Sequence, residues 1–296
     1  MIKIRVPATS ANLGPGFDAV GIALNLYNTF TFEELPEGLE IVGCDDDFNN
    51  ENNLVYLSMK KTLSKMDCKL RGIKITMENN IPVSRGLGSS AACIVAGILG
   101  ANELAGKPLS KDDLLKIATE IEGHPDNVAP ALLGGLVTSI VERENVFYNK
   151  IHVAKGIKFI ALIPEFTLST REARGVLPRE ISFKDAVFNV GRVALLISAL
   201  SNGKFDLLKY GLEDKLHQNY RSKLIPDFDK LKSICDNNNA LGTFISGAGP
   251  TIITIVDEKN KEFISNLSKE LTLLSNNWLV KELEIDLEGA VVLGQE

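Results

Sequence analysis

The chain has 296 residues, of which 45% are hydrophobic, so it is long enough to bury the cores of two domains. Its formal net charge of −6 at pH 7 argues against broad binding to nucleic acids or membrane surfaces. Four scattered cysteines without metal-binding spacing favour free thiols over disulfides or zinc. No signal-peptide pattern opens the chain and no apolar run is long enough for a bilayer, so we expect a cytoplasmic protein.

The first half of the chain alternates between strand-like and helix-like patterns. Apolar residues at every second position predict strands, and apolar residues three to four positions apart predict helices. Ser110 fits a helix N-cap, and Asp112 and Asp113 follow it where negative charge favours the helix dipole. The predicted elements are strands over residues 2–7, 20–34 and 73–77, and helices over residues 52–66, from the serine-rich loop at residues 82–90 to residue 106, and from Ser110 to 122.

A change of pattern near residue 150 predicts two domains, residues 1–150 and residues 151–296. Strands and helices are mixed within the second part, and this mixture predicts an α+β domain. Its predicted elements are strands over residues 158–163, 242–245, 252–256 and 278–285, and helices over residues 185–200, 207–220 and 261–274.

Residues 82–92 read P-V-S-R-G-L-G-S-S-A-A and form a candidate phosphate site. Gly86 and Gly88 have no Cβ, so the backbone there can turn sharply and approach a ligand. Ser89 and Ser90 offer hydroxyl groups where a helix is predicted to begin. Because a helix start has unpaired N–H groups and a partial positive charge, this segment favours a polyphosphate.

Two familiar nucleotide-binding loops fit this segment poorly. The Walker pattern requires a lysine after its last glycine, and none is present. The dinucleotide pattern G-x-G-x-x-G/A matches residues 86–91, but Pro82 separates it from the preceding strand, and Glu103 lies within the helix instead of ending a second strand. Close helix packing alone would explain Ala91 and Ala92, but not the paired glycines and serines before them.

The serine-rich loop occurs with two other glycine-containing segments in a fixed order. These segments are P-A-T-S-A-N-L-G-P-G-F-D at residues 7–18, P-V-S-R-G-L-G-S-S at residues 82–90 and S-G-A-G-P-T at residues 246–251. Together they resemble the three signature motifs of the GHMP kinases. The resemblance implies a two-domain α+β fold, with an N-terminal domain like ribosomal protein S5, a ferredoxin-like C-terminal domain and an active site in the cleft between them.

Three further segments are similar to the homoserine kinases within that family, so the resemblance covers nearly the whole chain. They are E-G-H-P-D-N-V-A-P at residues 122–130, S-T-R-E-A-R at residues 169–174 and H-Q-N-Y-R at residues 217–221. The resemblance implies ATP-dependent phosphorylation of the L-homoserine hydroxyl in threonine biosynthesis. It also leaves open another GHMP small-molecule kinase, or a non-catalytic nucleotide or metabolite sensor with the same fold.

The resemblance assigns ATP and Mg²⁺ to the first domain. The metal ligands would be a loop hydroxyl, Ser89 or Ser90, and a glutamate of the following helix, for which we prefer Glu120 and Ser90 and keep Glu122 as the alternative. The residues expected to contact ATP are Asn53, Pro82, Val83, Ser84, Arg85, Gly86, Leu87, Gly88, Ser89, Ser90, Ala91 and Ala92.

Homoserine has a carboxylate and an ammonium group, and the resemblance provides partners for both. Arg174 and Arg221 would bind the carboxylate, because the planar guanidinium makes paired charge-assisted hydrogen bonds. Asp18 would bind the ammonium with help from Asn12, although both are also good turn residues. Further expected substrate contacts are His124, Thr170 and Gly247, and Thr170 also fits a helix N-cap.

Asn127 would occupy the place of a catalytic aspartate in related kinases. An amide cannot accept the hydroxyl proton, so the resemblance implies catalysis by positioning and charge stabilisation, together with Ser89, Ser90 and Glu120. Asp126 remains an alternative as a general base. His217 lies four residues before Arg221, on the same face of a predicted helix, and would orient that arginine. We also expect a small-molecule substrate, no nucleic acid, no membrane partner and a possible homodimer.

Overall fold

The computed structural model describes residues 1–294 and contains two β-sheets. Its strands are β1 Ile2–Ala11, β2 Val20–Leu35, β3 Gly38–Val42, β4 Gly72–Glu78, β5 Leu136–Glu142, β6 Asn145–Ile151, β7 Ile157–Pro164, β8 Gly242–Ile245, β9 Ile252–Asp257, β10 Trp278–Leu283 and β11 Val291–Leu293. Its α-helices are α1 Leu54–Lys65, α2 Ser89–Leu104, α3 Lys111–Glu122, α4 Pro125–Leu133, α5 Thr170–Gly175, α6 Phe183–Asn202, α7 Leu208–Gly211, α8 Gln218–Arg221, α9 Phe228–Asn237 and α10 Phe263–Leu271.

The first sheet has the strand order β11-β1-β2-β4-β3, and the β5–β6 hairpin pairs with β2. Strand β1 alternates at its start, so that Ile2, Ile4 and Val6 are buried. Helices α2 and α4 pack on β1 and β2 and carry the small apolar residues that allow this close contact. The segments that begin these two helices therefore lie beside the end of β1.

The second sheet is antiparallel, with the order β10-β7-β9-β8. Counted along the chain, this is the order 4-1-3-2 of a β-α-β-β-α-β unit, which confirms the predicted ferredoxin-like arrangement. A separate buried cluster is formed on this sheet by apolar side chains of β7, β9 and α10, among them Leu162, Ile252 and Phe263.

The chain changes sheets between β6 and β7, close to the predicted division at residue 150. The last strand, β11, returns to the first sheet and pairs with β1, so the part after residue 150 is not confined to the second sheet. One buried cluster contains Ile4 and Phe30 from the first sheet together with Phe159 and Phe244 from the second. Within residues 1–294, no helix has the length and apolar character needed to cross a membrane.

Most predicted elements are present, and Ser110 forms a full capping box at the start of α3. The helix predicted over residues 207–220 is wrong, because α7 ends at Gly211 and α8 begins at Gln218. The buried carboxylate of Asp214 accepts backbone hydrogen bonds in the turn between them, and this turn replaces the helix. The sequence pattern did not predict strands β3, β5 and β11 or helices α4 and α9.

Candidate active site

The three glycine-containing segments meet around one cavity of about 400 Å³. Thr9 N donates to Leu87 O at 3.1 Å, and Ser246 Oγ donates to Gly86 O at 2.5 Å. Gly247 N donates to Ala11 O and links the third segment to the first. A larger depression of about 960 Å³ lies along α6 to α9, but its lining contains no residue of the three segments.

Gly86 and Gly88 are required by their backbone conformations and by their surroundings. Both have positive φ, 76° and 71°, which other residues adopt only with strain. A Cβ on Gly88 would lie 1.9 Å from Thr9 Oγ1, and one on Gly86 would lie 2.4 Å from Ser246 O. The loop therefore packs against both neighbouring segments at distances that only glycine permits.

Helix α2 begins at the cavity with Ser89 and Ser90 in its lining. Its first intrahelical bond joins Ala92 N to Gly88 O at 2.9 Å, so the preceding amides have no partner within the helix. Unlike those of Ser89 and Ser90, the side chains of Leu87, Ala91 and Ala92 are buried in the core and do not line the cavity, so these three residues would meet a nucleotide only through their backbone. The hydrophobic packing of α2 on the first sheet explains this difference.

Arg85, one of the residues expected to contact ATP, lines the cavity, but its guanidinium is bound by the protein itself. Its Nε donates to Pro164 O at 3.1 Å, its Nη1 donates to Val83 O at 2.7 Å, and its Nη2 donates to Glu165 O. The guanidinium thus binds carbonyl oxygens of the loop and of the end of β7. Arg85 holds the loop against the second sheet and leaves the amides of α2 to face the cavity.

We expect Arg85→Ala to raise the dissociation constant of ATP roughly five- to tenfold, because the loss of several partly exposed hydrogen bonds loosens the loop. Isothermal titration with ATP measures this change. The exposed Arg179→Ala is the control and should bind ATP as the unaltered protein does. Equal ATP affinity of the two variants would show that Arg85 does not hold the loop.

At one end, beside Asn53, the cavity wall includes the apolar side chains of Phe48, Leu54 and Met77, and Asp45 and Asn79 also line the cavity. Asn53 also lines this end, but its side chain accepts from Val55 N and donates to Phe48 O, as an N-cap of α1. Asn53 therefore shapes the wall through its internal hydrogen bonds. A flat heterocyclic base fits the chemistry of this end.

The preference for Glu120 over Glu122 is corrected by the geometry. Glu120 forms salt bridges with Lys65 and Lys61 at 2.9 and 3.6 Å, away from the cavity. Glu122 lines the cavity and accepts a 3.0 Å hydrogen bond from Ser90 Oγ. Burial raises the pKa of Glu122, and the Ser90 hydrogen bond opposes this shift only in part. A hydroxyl and a carboxylate side by side are the hard oxygen ligands that Mg²⁺ prefers.

Asp18 and Arg174 form a bidentate ion pair across 156 positions of sequence. The two bonds join Arg174 Nη2 to Asp18 Oδ1 at 2.7 Å and Arg174 Nη1 to Asp18 Oδ2 at 3.2 Å. Asn12 Oδ1 accepts from Asp18 N, and Asn12 Nδ2 donates to Gly247 O. Asp18, the predicted partner of the substrate ammonium, and Arg174, a predicted partner of the substrate carboxylate, thus bind each other.

Arg221 lies deeper and is only 2% exposed. Its Nε donates to Ala173 O at 3.2 Å, and its Nη1 donates to Gly247 O at 2.9 Å. Its guanidinium and that of Arg174 lie over the ring of Phe17, at 5.2 and 5.4 Å from the ring centre. Burial, together with the charge of Arg174, lowers the pKa of Arg221 to about 10. No salt bridge within residues 1–294 includes Arg221.

His124, Asp126 and Asn127 stand at the start of α4. Asp126 is buried and its Oδ1 lies 2.5 Å from His124 Nδ1, while Asn127 lines the cavity. Thr9 Oγ1 donates to Asn127 Oδ1 at 2.8 Å, which fixes the orientation of the amide. Burial lowers the pKa of His124, but the hydrogen bond and charge of Asp126 outweigh it and leave that pKa raised. Ligand atoms of His124, Asp126 and Asp18 lie within 4.8 Å of one another.

The remaining predicted residues border the same region. Thr170 lines the cavity, and Ser169 rather than Thr170 is the N-cap of α5. Gly247 lines the cavity and offers its carbonyl oxygen to both Asn12 and Arg221. Thr9 and Phe17 also belong to this region, although only their place within the first motif indicated it. Their contacts join positions far apart in the chain, and no local pattern reveals them.

Comparisons with known proteins agree with this arrangement of the motifs. The family models "GHMP kinases N terminal domain" and "GHMP kinases C terminal" match residues 53–135 and 196–272. A homoserine kinase of Clostridium botulinum is 57% identical over 292 residues, covering 99% of this chain and 98% of the relative. A homoserine kinase of Clostridium beijerinckii is 52% identical over 294 residues, covering 99% of this chain and 99% of the relative.

Solved structures lead to the same family. The crystal structure of homoserine kinase from Cytophaga hutchinsonii superposes with a TM-score of 0.86 at 30% identity, and the match covers 99% of this chain and 97% of that one. Sequence similarity over nearly the full length and the same fold go together with the six motifs described above. The chain therefore belongs to the GHMP kinase family and, within it, to the homoserine kinases.

Proposed function

We propose that this protein transfers the γ-phosphoryl group of ATP to the hydroxyl of L-homoserine and forms O-phospho-L-homoserine and ADP for threonine biosynthesis. The observation that carries the proposal is the buried guanidinium of Arg221, which has no carboxylate partner within the described part of the chain and lies beside Arg174. A buried charge without a counter-ion is costly, so a ligand carboxylate at this place would complete it. We further propose the cytoplasm as the location and keep the homodimer as a prediction.

The Asp18–Arg174 pair supports an amino acid as the substrate. A zwitterion offers a carboxylate to Arg174 and an ammonium to Asp18, so each protein charge exchanges its present partner for one on the ligand. A ligand with only one of the two charges would leave one member of the pair without a partner. This arrangement favours homoserine over mevalonate, which has a carboxylate but no ammonium.

Phosphoryl transfer requires donors around the phosphates and opposite charge near the developing negative charge. The amides at the start of α2 and the hydroxyls of Ser89 and Ser90 provide the donors. Ser90 and Glu122 would hold Mg²⁺, which when bound offsets charge on the phosphate oxygens. Glu122 therefore replaces Glu120 in our proposed metal site.

Asn127 would hold the substrate hydroxyl in line with the γ-phosphate. Its carbonyl oxygen is bound by Thr9, which directs the amide nitrogen the other way. An amide has no basic atom, so Asn127 contributes by positioning. Asp126 lies against His124 Nδ1, and we assign it to holding His124, with the role of general base as the alternative.

We expect Asn127→Ala to lower kcat about tenfold with little change in KM for ATP, because the variant loses orientation of the hydroxyl in the transition state. Steady-state kinetics with homoserine varied at saturating ATP measures this loss. A variant with unchanged kcat would remove Asn127 from the reaction.

The test of the proposal is ADP release from the unaltered protein with ATP and Mg²⁺ in the presence of homoserine, mevalonate, galactose or shikimate. Two analogues, 4-hydroxybutanoate and 3-aminopropan-1-ol, lack the ammonium and the carboxylate respectively. We expect rapid ADP release and a phosphorylated product only with homoserine. Binding of ATP without ADP release would favour the sensor, and release with another alcohol would favour a different GHMP kinase.

A further inference from the structure

Arg221 is held by three groups of the protein, of which only Gly247 lines the cavity. Besides its bonds to Ala173 O and Gly247 O, its Nη1 lies 3.3 Å from Nδ1 of His217. His217 is fully buried and precedes α8, so it is separated from the cavity. These contacts use Nε and Nη1 and so fix the plane of the guanidinium, and the direction of Nη2, which has no hydrogen bond within residues 1–294, depends on them.

The hydrogen bonds of His217 define its protonation. Its Nε2 lies 2.7 Å from Gly14 O, and a carbonyl oxygen only accepts, so Nε2 carries a proton. Its Nδ1 faces a guanidinium nitrogen, which only donates, so Nδ1 is the unprotonated acceptor. Burial lowers the pKa of His217, in keeping with this neutral ring. The ring thus links the first glycine-containing segment to Arg221.

Asp214 fixes the backbone that carries His217. The side chain of Asp214 is fully buried, and its Oδ2 accepts from the amides of His217 and Gln218 at 2.8 and 2.7 Å. Its Oδ1 accepts from the amide of Leu216 and from Nδ2 of Asn189 on α6. The carboxylate therefore caps the start of α8, where His217 itself supplies no side-chain cap. These hydrogen bonds fix the position of α8, although α8 is not continuous with α7.

We propose that neutral His217, with Asp214 behind it, is a positioning residue that orients Arg221 toward the substrate carboxylate. The inference rests on the proposed function, since that carboxylate belongs to homoserine. A histidine that only filled space would need no acceptor atom toward Arg221. This positioning role concerns only the amino-acid substrate, so it leaves the serine-rich loop at residues 82–90 unaffected.

Two substitutions of His217 separate its two hydrogen bonds. In His217→Asn the amide oxygen takes the place of Nδ1 and still accepts from Arg221, whereas in His217→Gln the amide nitrogen takes the place of Nε2 and still donates to Gly14 O. We expect His217→Gln to raise KM for homoserine about tenfold with unchanged KM for ATP, and His217→Asn to stay within about threefold of the unaltered enzyme. Equal values for the two variants, or an equal rise in KM for ATP, would overturn the proposal.

A double-mutant cycle adds a measurement that a purely structural role would not affect. If His217 acts through Arg221, His217→Gln should raise KM for homoserine no further in a protein that already carries Arg221→Ala. Additive effects would mean that His217 acts independently of Arg221.

The tautomer of His217 is tested in the unaltered protein, so the inference does not depend on folded variants. Only three histidines occur in the chain, which simplifies assignment of their ¹⁵N resonances. We expect His217 to be neutral with its proton on Nε2 at neutral pH, and an imidazolium or a proton on Nδ1 would overturn the proposal. Failure of the proposed function would appear separately, as absence of homoserine-dependent ADP release from the unaltered protein.

Discussion

Glu122→Gln is expected to lower kcat roughly 100-fold, a loss of about 2.7 kcal/mol in transition-state stabilisation. The substitution keeps the size of the side chain and its contact with Ser90 but removes the negative charge that would hold Mg²⁺. Steady-state kinetics over a range of Mg²⁺ concentrations measures the loss. We also expect the variant to require more Mg²⁺ for half-maximal activity, because one of its two proposed protein ligands is weakened.

Glu120→Gln is the matched control, since the two glutamates are two residues apart on α3. Glu120 forms partly exposed salt bridges with Lys61 and Lys65, and such pairs contribute little to stability. We expect kcat and the Mg²⁺ requirement of this variant to equal those of the unaltered enzyme. The reverse pattern, a loss at Glu120 and none at Glu122, would contradict the metal site proposed above.

Arg174→Ala is expected to raise KM for homoserine 10- to 150-fold while KM for ATP stays unchanged. A charge-assisted hydrogen bond to a carboxylate contributes about 1.5–3 kcal/mol, and each factor of ten in binding corresponds to about 1.4 kcal/mol. The half-exposed Arg174 can be removed with less disturbance of the core than the buried Arg221. Kinetics with each substrate varied in turn separate the two KM values.

The control for Arg174 is Arg171→Ala, three residues earlier on the same short helix. Arg171 is exposed and does not line the cavity. Its removal should change neither KM value. A similar rise in KM for homoserine in both variants would indicate that the charge of α5 as a whole, and not a direct contact by Arg174, attracts the substrate.

The conformation of the serine-rich loop at residues 82–90 could be predicted from sequence because it depends on neighbouring residues. Gly86, Gly88 and the two serines are adjacent in the chain, and positive φ and a helix start are properties of such short segments. The choice between Glu120 and Glu122 as the metal ligand could not be made from the local sequence. Residues two apart on an α-helix point about 200° from each other, so only the fold decides which of them reaches Ser90.

Two other features were not predicted from the sequence, each for its own reason. The apolar spacing over residues 207–220 is compatible with one helix, and it outweighed the local signal of Asp214, whose carboxylate binds amides two to four residues further on and interrupts the helix. The pairing of Asp18 with Arg174 joins residues 156 positions apart. The motifs indicated that both residues belong to the site, but their mutual contact is a product of tertiary folding.

The loop that would bind the phosphates is joined to both sheets, and this has a consequence for thermal unfolding. Thr9 of the first sheet bonds to Leu87, while Ser246 and the end of β7 bond to Gly86 and Arg85. Neither sheet can unfold without releasing the loop. The buried cluster shared by the two sheets must be exposed at the same time. Heating should therefore give one cooperative calorimetric transition, and ATP should shift that whole transition to higher temperature instead of splitting it.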